Sequence, residues 1–138
     1  MGRLLAIDYG EKRVGLALSD AEQRIVFPAK NLNIKSENEF LLELKKIITA
    51  ESIEKIILGV PKNRDGSLTS RGKQIIELAA TIQKNFNCPV VLIDETFTSR
   101  QAEDFLIEMD VSRQTRKKIT DKIAAVFILQ SYLQNLKK

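Results

Sequence analysis

LLAIDYGEKRVGLALSD, residues 4–20, decides how this chain is read. Two apolar runs, Leu4–Ile7 and Val14–Leu18, are joined by the turn Tyr9-Gly10-Glu11-Lys12. A short apolar run bounded by turn chemistry reads as a buried strand, and two such runs closely joined read as a hairpin. The first run ends in a carboxylate, Asp8. A carboxylate among buried strand residues is costly unless it is paired or meets a metal. The rest of the chain therefore reads as a means of bringing further carboxylates and positive charge to Asp8.

Working outward, Arg24–Ile34 alternates loosely and predicts a third strand, with Pro28 placing it at an edge or a bulge. Ser36 and Glu39 form a capping box for a helix whose stripe is Phe40, Leu44, Ile47 and Ile48 and which ends near Glu51. Ile53–Val60 predicts a strand buried on both faces. Gly59 and Pro61 then lead into a loop with a turn at Asp65-Gly66. A helix follows from about Thr69 to Phe86, stopped by Asn87 and Pro89. Pro89–Ile93 reads as another buried strand ending in Asp94 and Glu95. Thr98 opens a short helix through Ala102, Phe105 and Leu106. A basic segment, Asp110–Lys118, precedes a final helix from about Thr115 to Leu136. Strands joined by crossover helices imply parallel pairs with helices on both faces, an α/β fold.

Length and composition narrow the function. The 138 residues suit one domain, 1–138, with a real core. An apolar share of 43% and a charged share of 29% are those of a globular protein. No apolar run approaches the roughly 20 residues that span a bilayer, and Met1-Gly2-Arg3 enters a strand without a signal-peptide pattern. No membrane partner is expected. Cys88 is the single cysteine, read as a core residue; a reducing, cytoplasmic setting fits. There is no histidine, which excludes imidazole bases, serine triads and the usual zinc sites. Oxygen-only ligand sets suit Mg²⁺ or Mn²⁺. The net charge of +4 favours polyanionic partners.

Three constellations carry chemistry. The first is Asp8, Glu95 and Asp121. In open α/β sheets ligands bind outside the carboxyl ends of strands, where Asp8 and Glu95 fall. Asp121 opens the apolar run DKIAAVFIL, and Ala124 and Ala125 on its own helix face permit close approach to the sheet. Convergent carboxylates call for divalent cations as counter-charge. The alternative stays open that these are a turn residue, a solvated acid and a first-turn helix acid. The second is the loop Val60–Gly72, where a glycine turn near a helix N-terminus, with Lys62, Arg64 and Arg71, suits a phosphate; a plain strand-to-helix connection is its rival. The third is SRQTRKK, residues 112–118, where Arg113, Arg116, Lys117 and Lys118 suit backbone phosphates, with Lys12 and Arg13 of the hairpin turn serving the same end.

With LAIDYGEKRVGLALSD, ILGVPKNRDGS, VVLIDETFTSRQAE and DKIAAVFILQSYL in this order, the chain resembles the YqgF family, RuvX-type proteins described as Holliday-junction resolvases and as nucleases of the small-subunit ribosomal RNA precursor. The resemblance implies a ribonuclease H-like fold, a five-stranded mixed sheet flanked by helices on both faces. It places the family's acidic positions on Asp8, Glu95 and Asp121 as metal ligands and catalytic residues. It also implies a cytoplasmic, metal-dependent nuclease that processes the 5′ end of pre-16S rRNA, with branched DNA as the alternative substrate. Monomer or weak homodimer is the expected state. One departure stands out: the family reads Asp-Glu-Arg where this chain has Asp94-Glu95-Thr96, which removes a fixed cation beside the second acid. Arg100 is the candidate replacement. The hairpin also resembles the phosphate loop of actin-like ATPases, which need two such domains. A non-catalytic nucleic-acid-binding module is the third reading.

Overall fold

The hairpin of residues 4–20 forms as expected. β1 (Arg3–Tyr9) and β2 (Arg13–Ser19) pair antiparallel, in register from Leu5↔Leu18 to Tyr9↔Val14. At its turn the Gly10 amide donates to the Arg13 carbonyl at 3.0 Å, and a Cβ on Gly10 would lie 2.5 Å from that oxygen. Any side chain there would push the turn open. The computed structural model describes residues 2–94 except Glu11, Lys30 and Arg64, with the backbone of 113–136 and the side chains of 123–135. The short helix expected after Thr98 lies outside the described residues.

The expected third strand is two strands. β3 (Val26–Pro28) pairs with the end of β2, and β4 (Leu32–Asn33) pairs with its start. Pro28 supplies no ladder donor, and the segment between the two pairings leaves the ladder after the Ala29 amide reaches the Leu16 carbonyl at 2.9 Å. Among the described residues the sheet thus has six strands where five were expected, but is five positions wide because β3 and β4 share one edge of β2.

α1 (Glu37–Glu51) starts at the predicted cap: Ser36 Oγ accepts from the Glu39 amide at 3.2 Å. The Glu39 carboxylate reaches back to the Lys35 amide, one residue before the cap itself. β5 (Ile53–Val60) lies parallel to β1, with Ile56, Ile57 and Leu58 completely buried. α2 (Ser70–Phe86) is capped by Thr69 and ends at Asn87 in the left-handed conformation. β6 (Val90–Asp94) pairs parallel with β5 as an edge strand. It is not the buried strand its sequence suggested, for Leu92 is 42% exposed where an edge leaves one flank open. α3 (Arg113–Leu136) closes the chain.

Alternation along the strands divides the core in two. Leu5, Ile7, Val14, Leu16, Ile56 and Leu58 face α1 and α2, where they meet Phe40, Leu44, Ile75 and Ile82. Leu4, Ala6, Ala17 and Ile57 face α3, where they meet Ala125, Ile128, Leu129 and Tyr132. Small sheet residues on the second face let α3 lie close. The result is the ribonuclease H-like layering of helix, mixed sheet and helix.

Candidate active site

Parity fixes the side of the sheet on which Asp8 lies. Leu4 and Ala6 pack against α3, so Asp8, two residues on, belongs to that face. It is half-buried at the carboxyl end of β1. Its partner across the antiparallel ladder is Gly15. On the other side the parallel ladder ends at Ile7↔Leu58, and the next residue of β5 is Gly59, on the face of Ile57. A directly opposed residue ordinarily sets a Cβ about 5 Å away. Asp8 has a glycine on each neighbouring strand, and glycine in a strand marks a place where another group approaches closely. Sequence reasoning passed over Gly15 and took Gly59 as the way into a loop, whereas it lies inside β5; an isolated glycine in each apolar run was the signal.

The height of α3 on this face follows from its far end. Lys55, which pairs with Leu4 at the start of β5, donates to Tyr132 Oη at 3.0 Å and lies 5.7 Å from its ring centroid. The helix therefore runs against the direction of β1 and β5, with its N-terminal half towards their carboxyl ends. Asp8 is four strand residues above Leu4, about 13 Å. Position 121 is eleven helix residues before Tyr132, about 16 Å. Residue 121, one turn before Ala125, thus belongs to the part of the helix nearer the strand ends where Asp8 stands. The side chain of Asp121 lies outside the described residues. Glu95 lies outside them altogether; it follows Asp94 directly, two places after Ile93, which packs on the α3 face.

The basic residues separate into groups. Lys12 and Arg13 are exposed at the mouth of the hairpin. Arg113, Arg116, Lys117 and Lys118 occupy the first turns of α3, their side chains outside the described residues. Arg64 and Arg100 also lie outside. The loop after β5 is a hairpin tied to itself: Lys62 and Leu68 form a bridge, and Asp65 Oδ1 accepts from the Ser67 amide at 2.9 Å and from its hydroxyl at 2.6 Å. These bonds lower the Asp65 pKa. The glycine turn at Gly66, φ +87°, is thus the hairpin tip and not the start of α2. Lys62 is half-buried at the base of this hairpin. Arg71 is engaged: Nη2 donates to the Tyr9 carbonyl at 3.0 Å and its guanidinium lies 4.9 Å from the Tyr9 ring centroid.

The donor chemistry fits a hard divalent cation. Asp8 offers carboxylate oxygens between two buried glycines, Gly15 and Gly59, and the chain has no imidazole. Cys88, the one thiol, is buried in the core on the opposite face with its pKa raised by burial. Among the described residues no three acids or thiols cluster, since only Asp8 of the three acids has a described side chain.

The family model RuvX, described as Holliday junction resolvase, matches residues 2–135. A Bacillus subtilis protein named "Putative pre-16S rRNA nuclease" is 43% identical over 136 residues, covering 97% of this chain and 99% of that protein. A protein of the same name from Caldanaerobacter subterraneus is 40% identical, covering 98% of each chain. Among solved structures, the Fowlpox virus resolvase with Holliday junction DNA matches with a TM-score of 0.59 at 19% identity, covering 99% of both chains. The T. thermophilus RuvC complex with a Holliday junction substrate gives 0.59 at 9% identity, covering 99% of this chain and 96% of that one. At such identities the structures establish the shared fold. With the family model spanning nearly all of the sequence and full-length relatives at about 40% identity, the chain belongs to the RuvX family.

Proposed function

We propose that this protein is a divalent-metal-dependent nuclease that hydrolyses phosphodiester bonds in precursor 16S ribosomal RNA, trimming its 5′ end in the cytoplasm. The observation that carries the reading is Asp8 at the carboxyl end of β1, between Gly15 and Gly59 on the face that α3 covers. The names of the full-length relatives support the substrate.

Asp8, Glu95 and Asp121 would hold the cations, Mg²⁺ or Mn²⁺. When bound, such ions supply charge to activate water and to stabilise the leaving oxygen. The chain's own part is to fix the acids on a rigid strand end and a packed helix. Lys12 and Arg13 at the hairpin mouth, with Arg113, Arg116, Lys117 and Lys118 at the start of α3, would hold the flanking phosphates. Lys62, Arg64 and Arg100 would extend this track. Water oxygen bonds to phosphorus, the bond to the ribose oxygen breaks, and the water's proton leaves with that oxygen or to solvent. A single domain acting as a monomer or weak homodimer suffices for one such cut.

The test uses labelled precursor 16S RNA and a four-way DNA junction, each with Mg²⁺, Mn²⁺ or chelator. Metal-dependent cutting of the RNA alone is expected. Cutting of the junction alone would favour the resolvase reading suggested by the family description. Binding without cutting in either metal would favour a non-catalytic module and make Thr96→Arg the first reversion to try.

A further inference from the structure

On the reading above, we infer that Arg71 is not a phosphate contact but a positioning residue for Asp8, a brace that joins the exits of β1 and β5 where their ladder has ended. The first turn of α2 is fastened to the exit of β5. Thr69 Oγ1 accepts from the Gly72 amide at 2.8 Å and donates to the Pro61 carbonyl at 3.2 Å. A Cβ on Gly72 would lie 2.7 Å from that same carbonyl, so the turn rests directly on the strand exit.

From this anchored turn Arg71 reaches the exit of β1. Nη2 donates to the Tyr9 carbonyl, the residue after Asp8, and Nη1 donates to Gln74 Oε1 at 3.1 Å. The guanidinium covers the Tyr9 ring, which stacks on the fully buried Phe40 at 4.9 Å between centroids. The last rung between the two central strands is Ile7↔Leu58. Asp8 and Tyr9 lie beyond it, held through the backbone by β2 alone, where they pair with Gly15 and Val14. On the side of β5, Arg71 holds the Tyr9 carbonyl in place of a further rung. A planar guanidinium can donate from its edge while its face lies on a ring, and an ammonium cannot do both. A metal-binding carboxylate must be held to within about 0.5 Å, and its supporting groups carry that task.

The experiment compares wild type, Arg71→Ala, Arg71→Lys and Tyr9→Leu as full chains. Mn²⁺ alone is titrated by calorimetry. Precursor 16S RNA is bound across a salt series and cleaved under steady-state conditions, and near-ultraviolet circular dichroism confirms the fold. Both Arg71 variants should weaken Mn²⁺ binding by about tenfold. They should lower kcat, leave KM within about twofold, and leave the salt slope of RNA binding unchanged. Tyr9→Leu keeps the backbone acceptor and should give a smaller loss. A salt slope reduced by roughly 0.7 to 0.9, one phosphate's worth, with Mn²⁺ affinity intact would overturn the inference. So would full rescue by Arg71→Lys, which also decides the matter if Arg71→Ala fails to fold. If wild type binds no Mn²⁺ and cuts nothing, the nuclease reading fails and takes this one with it. If wild type binds and cuts and the variants match it, only the role of Arg71 fails.

Discussion

Asp8 stands half-buried at the end of a buried strand, between glycines. Gly15 faces it across the ladder to β2, Gly59 follows the last rung to β5, and α3 passes over that face on small residues. Asp8 itself was legible in the sequence, since a carboxylate closing an apolar strand run is a visible anomaly. That Gly15 and Gly59 flank Asp8 was not, because it depends on register, and register is fixed by pairing between segments far apart in the chain. Arg71, read from the sequence as one more cation of a basic loop, also contacts Tyr9, which no local pattern foretold. At this scale Gly15→Val should cut divalent-metal affinity at least about tenfold by filling the flank of Asp8. Calorimetry with Mn²⁺ reads the effect, and circular dichroism should show an unchanged fold.

At the scale of elements, caps and stripes were the most legible features. Ser36 and Thr69 cap the helices they were expected to start, and Asn87 ends α2. These signals are local, and local chemistry survives folding unchanged. Edges were less legible. Arg24–Ile34 broke into β3 and β4, and β6 proved half-open, because alternation cannot tell a central strand from a flank. Thr69→Ala removes the α2 cap and the tie to Pro61; it should cost about 1 kcal/mol, lowering Tm by a few degrees. Leu129→Ala opens the packing of α3 on the sheet and should cost about 2–5 kcal/mol, measured by denaturant unfolding. RNA cleavage should fall with it, because α3 carries Asp121.

The described residues form one sheet with a core on each face, and the pH response follows from groups in and around those cores. The Cys88 thiol is raised above its ordinary 9.0 by burial. The Tyr9 phenol is raised above 10.0 by burial and by Glu37, against an opposing pull from Arg71. Both are neutral when folded and ionise more readily when unfolded. Their contribution is fully present below those ordinary values and is lost as pH rises through the raised ones. Stability should therefore decline from about pH 9 upward, and Cys88→Ala should remove the earlier part of that decline. At the acid end Asp20, held low by the Arg24 and Ile25 amides, works in the opposite sense. Its contribution is present above 3.8 and lost as pH falls through the lowered value, loosening the β2–β3 turn. The fold class was legible because helix and strand periods alternate along the chain, whereas three acids as far apart as Asp8, Glu95 and Asp121 make only a weak motif by spacing. The central claim is that Asp8 is the strand-borne metal ligand of a nuclease. It is tested most directly by measuring cleavage and binding of precursor 16S RNA in one Mg²⁺ series for wild type and Asp8→Ala. Cleavage reduced more than a hundredfold with binding equal or tighter is the expected result. Cleavage by Asp8→Ala at the wild-type rate would contradict the account.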